Sequence, residues 1–186
     1  MDFSLINEAF RRPFMVEKNG LVKALVIFAI GFLLALWPRV QVSGGVSVSL
    51  GDAVLYLCIY ALPMGWGALA AGVSACLAGI ICKDGAMCLA YLVIRLVAVM
   101  GGRVLYQCTA TDGNRMALPA IWCLCSLLIG YFCYESVFFG VMTGSLAVLF
   151  HLAQWAACLV VGLGLISLFR RMGWELKPTD EEEAWN

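Results

Sequence analysis

Apolar residues fill this chain in long blocks, and charges are confined to the gaps between them. Uncharged runs cover 24–38, 53–82, 85–94, 116–134 and 136–169. A membrane-crossing helix needs about 20 mainly apolar residues, so the second and fifth runs are long enough to fold back on themselves. Pro63-Met64-Gly65 breaks the second run, and Thr143-Gly144-Ser145 breaks the last near its start. The pattern therefore predicts six spans at about 20–37, 51–63, 66–82, 86–105, 117–141 and 145–169. The second is short for a full crossing.

Composition agrees with this reading. Hydrophobic residues make up 63% of the 186 positions and charged residues 13%, far from the balance of a soluble domain. The expected fold is all-α, an integral membrane bundle of six transmembrane helices. An even number of spans puts both ends on one side, and basic flanks stay in the cytoplasm. With both ends inside, the inner segments hold Arg11, Arg12, Lys18, Lys23, Arg103, Arg115, Arg170, Arg171 and Lys177. Only Arg39 and Lys83 fall outside, with Arg95 inside a span. Residues 1–19 lack a basic start and a small-residue cleavage site, and are expected to be a cytoplasmic segment. The bundle would occupy 20–172, and 173–186 an acidic, solvated cytoplasmic tail.

Most of the nine cysteines fall within spans, where Cys acts as a small packing residue. Cys82 and Cys88 lie near one outer loop and could pair if oxidised, but the spacing of a disulfide or zinc framework is missing. No metal site, cofactor or nucleic-acid partner is expected. Nucleotide-binding and hydrolase motifs are absent too, so active transport would need a partner or an ion gradient for its energy.

Ionisable groups inside a bilayer cost on the order of 2.5–3.5 kcal/mol even on the lenient insertion scale, and usually face a bundle interior or cavity. Asp52, Arg95, Glu135 and His151 are such groups, and the topology places them with Gln154 in the outer half of the bilayer. That shared level predicts a polar pocket open to the outside. His151, Gln154, Trp155 and Cys158 form one helical stripe, Tyr131, Tyr134, Glu135 and Phe138 another, and Met87, Tyr91 and Arg95 a third. An aromatic pocket with a few converging polar groups suits a small planar molecule. Simpler readings stand beside it: an Arg95–Glu135 ion pair pinning two helices, aromatic stripes that only pack, and a His151 satisfied between helices.

At SLGDAV, residues 49–54, the chain resembles the substrate-binding S components of energy-coupling factor (ECF) transporters, the vitamin-uptake ABC importers. The resemblance is to their riboflavin-type or hydroxymethylpyrimidine-type branch, and it covers about 20–172 in order and spacing. It is carried by Gly51-Asp52-Ala53-Val54, GALAAGVSACLAG, Ile94-Arg95, Gly130-Tyr131-Phe132 with Glu135, and His151 with Gln154. Departures are Arg95 for a usual lysine, His151 for an asparagine, Gly79 for an aspartate and Pro63 for a glycine.

The resemblance implies a subunit of a prokaryotic cell membrane that captures a vitamin or precursor from outside under the loop between spans one and two. It would then dock on a transmembrane coupling subunit driven by two ATPase subunits, with Ala24, Gly31 and Ala35 on the docking surface. In the pocket, Glu135 and Gln154 would bond ring heteroatoms or hydroxyls, and Arg95 would donate to carbonyl or anionic groups. His151 would donate or accept, with Tyr91, Tyr131, Tyr134 and Trp155 as aromatic walls. Gly51 and Asp52 would form the junction of the gating loop, Asp52 staying hydrated or capping the second helix at the outer interface. The chain is not expected to be an enzyme. Two alternatives remain: an intramembrane enzyme using Glu135 and His151 as acid and base, and a membrane assembly protein with no pocket.

Overall fold

The computed structural model describes residues 20–37, 39–41, 47–109 and 115–172. The expected cytoplasmic segment 1–19 and acidic tail 173–186 lie outside them. Among the described residues six α-helices follow in order: α1 (Gly20–Leu36), α2 (Ala53–Ala61), α3 (Met64–Ile81), α4 (Gly85–Cys108), α5 (Ala117–Phe139) and α6 (Val141–Arg171). Four of them, α3 to α6, are long and apolar enough to cross a membrane, and α1 and α2 are shorter apolar helices. Large apolar side chains such as Val137, Met142 and Val160 stand exposed on α5 and α6, the surface a lipid-facing helix presents.

The short helix α2 is the centre of the molecule. Its sequence AVLYLCIYA is apolar on every side, which calls for burial all round, and Ala53 to Ile59 are all buried. It touches each of the other five helices. Around it the chain packs α1 on α3, α3 on α4, α4 on α5 and α5 on α6.

Small residues on α3 let its neighbours come close, and these contacts are internal to the chain. A Cβ at Gly67 would lie 3.0 Å from the Cys58 carbonyl oxygen of α2, and one at Gly72 would lie 3.3 Å from the Leu92 carbonyl oxygen of α4. The α1 stripe behaves the same way, which corrects its expected role as a docking surface. Ala24, Gly31 and Ala35 are buried, Gly31 against Val54 and Ser74 and Ala35 against Gly51. A partner could not reach them without prising α1 from the bundle.

The break before the last helix also differs from expectation. It falls at Gly140, whose φ of 92° and ψ of 152° are open to glycine and very costly for other residues. Thr143-Gly144-Ser145 is helical, and Gly144 serves instead as the close contact of α6 with Ser136 and the Phe132 carbonyl of α5.

One feature has no counterpart among the predicted spans. Strands β1 (Arg39–Gln41) and β2 (Ser47–Ser49) pair antiparallel, with Arg39 opposite Ser49 and Val40 opposite Val48. A single 3₁₀ turn, Leu50–Asp52, joins β2 to α2. Because strand side chains alternate, Arg39, Ser47 and Ser49 share one face of this hairpin.

Candidate functional site

The depth at which α2 begins decides the site. Its connection to α3 is only Leu62 and Pro63, and Gly67 packs on Cys58, so α2 and α3 run antiparallel from a common turn. Asp52 is thus level with the middle of α3, about 13 Å short of that helix's far end at a rise of 1.5 Å per residue. Arg95 is ten residues into α4, which starts just after that end, so it lies about 15 Å down. The two meet: Arg95 Nη2 is 2.7 Å from Asp52 Oδ1, with both side chains almost wholly buried.

This corrects the hydrated, helix-capping Asp52 expected at an outer interface. The residue is 1% exposed, and its carboxylate makes no capping hydrogen bond to α2. Its second oxygen, Oδ2, accepts a hydrogen bond from Gln154 Nε2 of α6. Gly51 does lie at the junction of hairpin and helix, and its lack of a side chain is essential there. A Cβ would sit 2.8 Å from Ala35 Cβ and 2.9 Å from Arg95 Nη2.

Glu135 does not pair with Arg95. Its Oε1 is 2.9 Å from His151 Nε2 across the α5–α6 contact, with both residues buried. The His151 ring stacks on Tyr131 at 4.4 Å between centroids, and Tyr131 meets Tyr91 edge-on at 6.0 Å. Tyr131 also hydrogen-bonds through its side chain with Arg95, so it links the two buried pairs, Asp52–Arg95 and Glu135–His151.

Above them the hairpin is tied down by a second ion pair. Arg39 of β1 pairs with Asp84 of the α3–α4 turn. Ser47 Oγ donates to Asp84 Oδ2 at 3.0 Å, accepts from Arg39 Nη2 at 2.8 Å and lies 2.9 Å from the Tyr91 hydroxyl. Lys83 ends α3 in a left-handed conformation, φ 61°, where glycine is the usual residue, and the Asp84 N–H donates to the Gly79 carbonyl at 2.9 Å.

Between hairpin and helices lies a cavity of about 10 Å³, lined by Arg39, Ser47, Ser49, Ala75, Tyr91, Arg95, Tyr131 and Gln154. That is room for a single water. Tyr91, Arg95, Tyr131 and Gln154, all expected at a pocket, come together on its wall. Glu135 and His151 sit behind Tyr131, away from the wall. Tyr134 stacks on Phe138 at 4.4 Å and Trp155 packs against the core, so neither lines the cavity. Arg39, Ser47 and Asp84 are among the residues sequence reasoning missed. The alternation of valines with polar residues through VQVSGGVSVS, 40–49, was the signal for a hairpin that would have brought the first two in.

Cys82 and Cys88 are both free thiols. No group of three or more His, Cys, Asp or Glu side chains able to hold a metal occurs among the described residues. Searches of the sequence against protein-family models and curated proteins find no match.

Proposed function

We propose that the chain is the substrate-capture subunit of an ECF-type importer, taking up a vitamin or vitamin precursor at the cavity beneath the hairpin. The observation that carries this reading is the cavity itself: one wall from a hairpin held by side-chain bonds, the other from buried and half-buried polar side chains on α4, α5 and α6. The order of sequence elements that resembles S components supports it. In this reading the six helices sit in a prokaryotic cell membrane with both termini cytoplasmic, and the cavity faces outward.

A cavity of about 10 Å³ is far below the 300 Å³ or more of typical ligand pockets, so capture requires the hairpin to lift. Its side-chain hold includes the Arg39–Asp84 pair and the Ser47 hydrogen bonds near the rim, with Arg39 also donating to the Tyr91 hydroxyl and the Cys158 thiol to the Ser49 carbonyl. Arg39→Gln and Asp84→Asn would loosen that hold without disturbing the buried floor. Release inward would need an ATPase-driven coupling subunit, because no motif in this sequence hydrolyses nucleotide. That partner would contact faces other than the buried Ala24, Gly31 and Ala35 stripe.

The test is to purify the full chain from its own cells, denature it, and identify any small molecule released by mass spectrometry. An unmodified heterocycle in stoichiometric amount is the expected result. A modified product with turnover would favour the enzyme alternative, and consistent failure to retain or bind any small molecule would favour an assembly role. Arg95→Ala should abolish retention, and Gln154→Leu should weaken it.

A further inference from the structure

The cavity wall is electrically balanced, pair by pair. Two guanidiniums, Arg39 and Arg95, line it, and each is matched by a carboxylate, Asp84 and Asp52, that does not. A net charge brought in with a ligand would remain uncompensated in surroundings that replace little of its lost hydration. A neutral ligand carries no such cost.

The wall also holds unused hydrogen-bonding groups of both kinds. Arg39 Nε, Arg95 Nε and Arg95 Nη1 are buried donors without a hydrogen-bond acceptor, and Gln154 Oε1 is a buried acceptor without a donor. Chemistry fixes which way the Gln154 amide faces. A carboxylate oxygen only accepts, so the NH₂ must point to Asp52 Oδ2, leaving the carbonyl oxygen for another partner. Asp52 holds Arg95 on one oxygen and Gln154 on the other. A donor and an acceptor are thereby set side by side on one carboxylate.

We propose that this site selects a neutral, planar molecule bearing a carbonyl beside an N–H, the amide or lactam pattern. Its carbonyl accepts from Arg95, its N–H donates to Gln154 Oε1, and its ring lies against Tyr91 and Tyr131. This assignment rests on the capture reading above and adds the class of ligand.

The test uses one ring in three charge states. Nicotinamide, nicotinate and 1-methylnicotinamide, with uracil and orotate as a second matched pair, are titrated at millimolar concentration into the detergent-purified full chain. Saturation-transfer NMR reads the binding. Nicotinamide and uracil should bind more tightly than their charged counterparts by roughly tenfold or more, and Gln154→Leu should remove that preference. Asp84→Asn leaves the Arg39 charge unmatched at the rim and should move the preference several-fold toward nicotinate.

Tighter binding of nicotinate, orotate or 1-methylnicotinamide to the unaltered protein would overturn the neutral-amide assignment and leave capture standing. So would an Asp84→Asn variant with unchanged preference. If no probe binds, the molecule released on denaturation decides: a neutral amide or lactam upholds the assignment, and a charged molecule overturns it. The absence of both probe binding and any released molecule would sink capture and this assignment together.

Discussion

The two ends of α2 are each attended by a buried arginine, yet they are built differently. At the N-terminal end Asp52 binds Arg95 and Gln154 through side chains alone, next to a cavity and under a hairpin. At the C-terminal end Arg103 Nη1 donates to the Ile59 carbonyl at 2.8 Å, holding main chain. Around that contact lies a ring of tyrosines and cations. Arg103 and Arg115 sit over Tyr106 at 5.5 and 4.7 Å, and Arg170 over Tyr60 at 4.8 Å. The two rings meet edge-on at 6.0 Å.

Both arrangements suit the helix dipole, with a carboxylate at its positive end and an arginine at its negative end. The difference lies in what each could give up. A carbonyl at a helix end needs its donor permanently, since losing it strands a buried backbone acceptor. Side-chain pairs can exchange one partner for a ligand group. The C-terminal end is therefore the anchor of α2, and the N-terminal end is the adjustable one.

The largest effect should come from breaking the adjustable end halfway. Asp52→Ala strands the Arg95 charge and should cost about 3–5 kcal/mol, read as thermal unfolding in detergent. Adding Arg95→Met to that variant should recover most of the loss, because the stranded charge goes with it. A double variant no better than the single would show that the pair is not the source.

At the anchored end, Arg103→Met should cost roughly 1–3 kcal/mol by leaving the Ile59 carbonyl unsatisfied, while ligand binding persists in the folded fraction. Loss of binding at full stability would erase the distinction between the two ends. Gly51→Ala, which pushes a methyl group against Ala35 and Arg95, should cost on the order of 1–2 kcal/mol and weaken binding as well. The smallest effect on stability belongs to the rim. Arg39→Gln removes a pair that still touches solvent and should cost no more than about 1 kcal/mol. Backbone hydrogen exchange in 39–41 and 47–49 should nonetheless quicken several-fold, and an unchanged exchange rate would mean that the strands are held by something else.

The helices were legible because each is a long apolar run ended by local chemistry, though glycine punctuation misled at one point. Gly144 looked like a break and is a packing contact, while Gly140 makes the turn. A glycine's role depends on what passes beside it, which composition does not reveal. Arg95, Glu135, His151 and Gln154 were legible as unusual residues in apolar helices, but their partners were not. Arg95 and Glu135 were candidates for a pair on their charges alone. The distances instead join Arg95 to Asp52 and Glu135 to His151.

Arg39 and Asp84 were not singled out as site residues for a related reason. They lie in connections, where charged residues are ordinary, and only the folding of the hairpin over the α3–α4 turn brings them together.

What the sequence determined by itself is whatever depends on neighbours along the chain: apolar helices, small faces for close packing, and ionisable groups that had to be buried. The tertiary structure alone decided the pairing. It follows from α2 being short and docked on α3 from their shared turn, which sets Asp52 deep enough to meet Arg95 and leaves the space above it to a hairpin. Depth in a bundle is a sum over helix lengths and contacts, so no local pattern carries it.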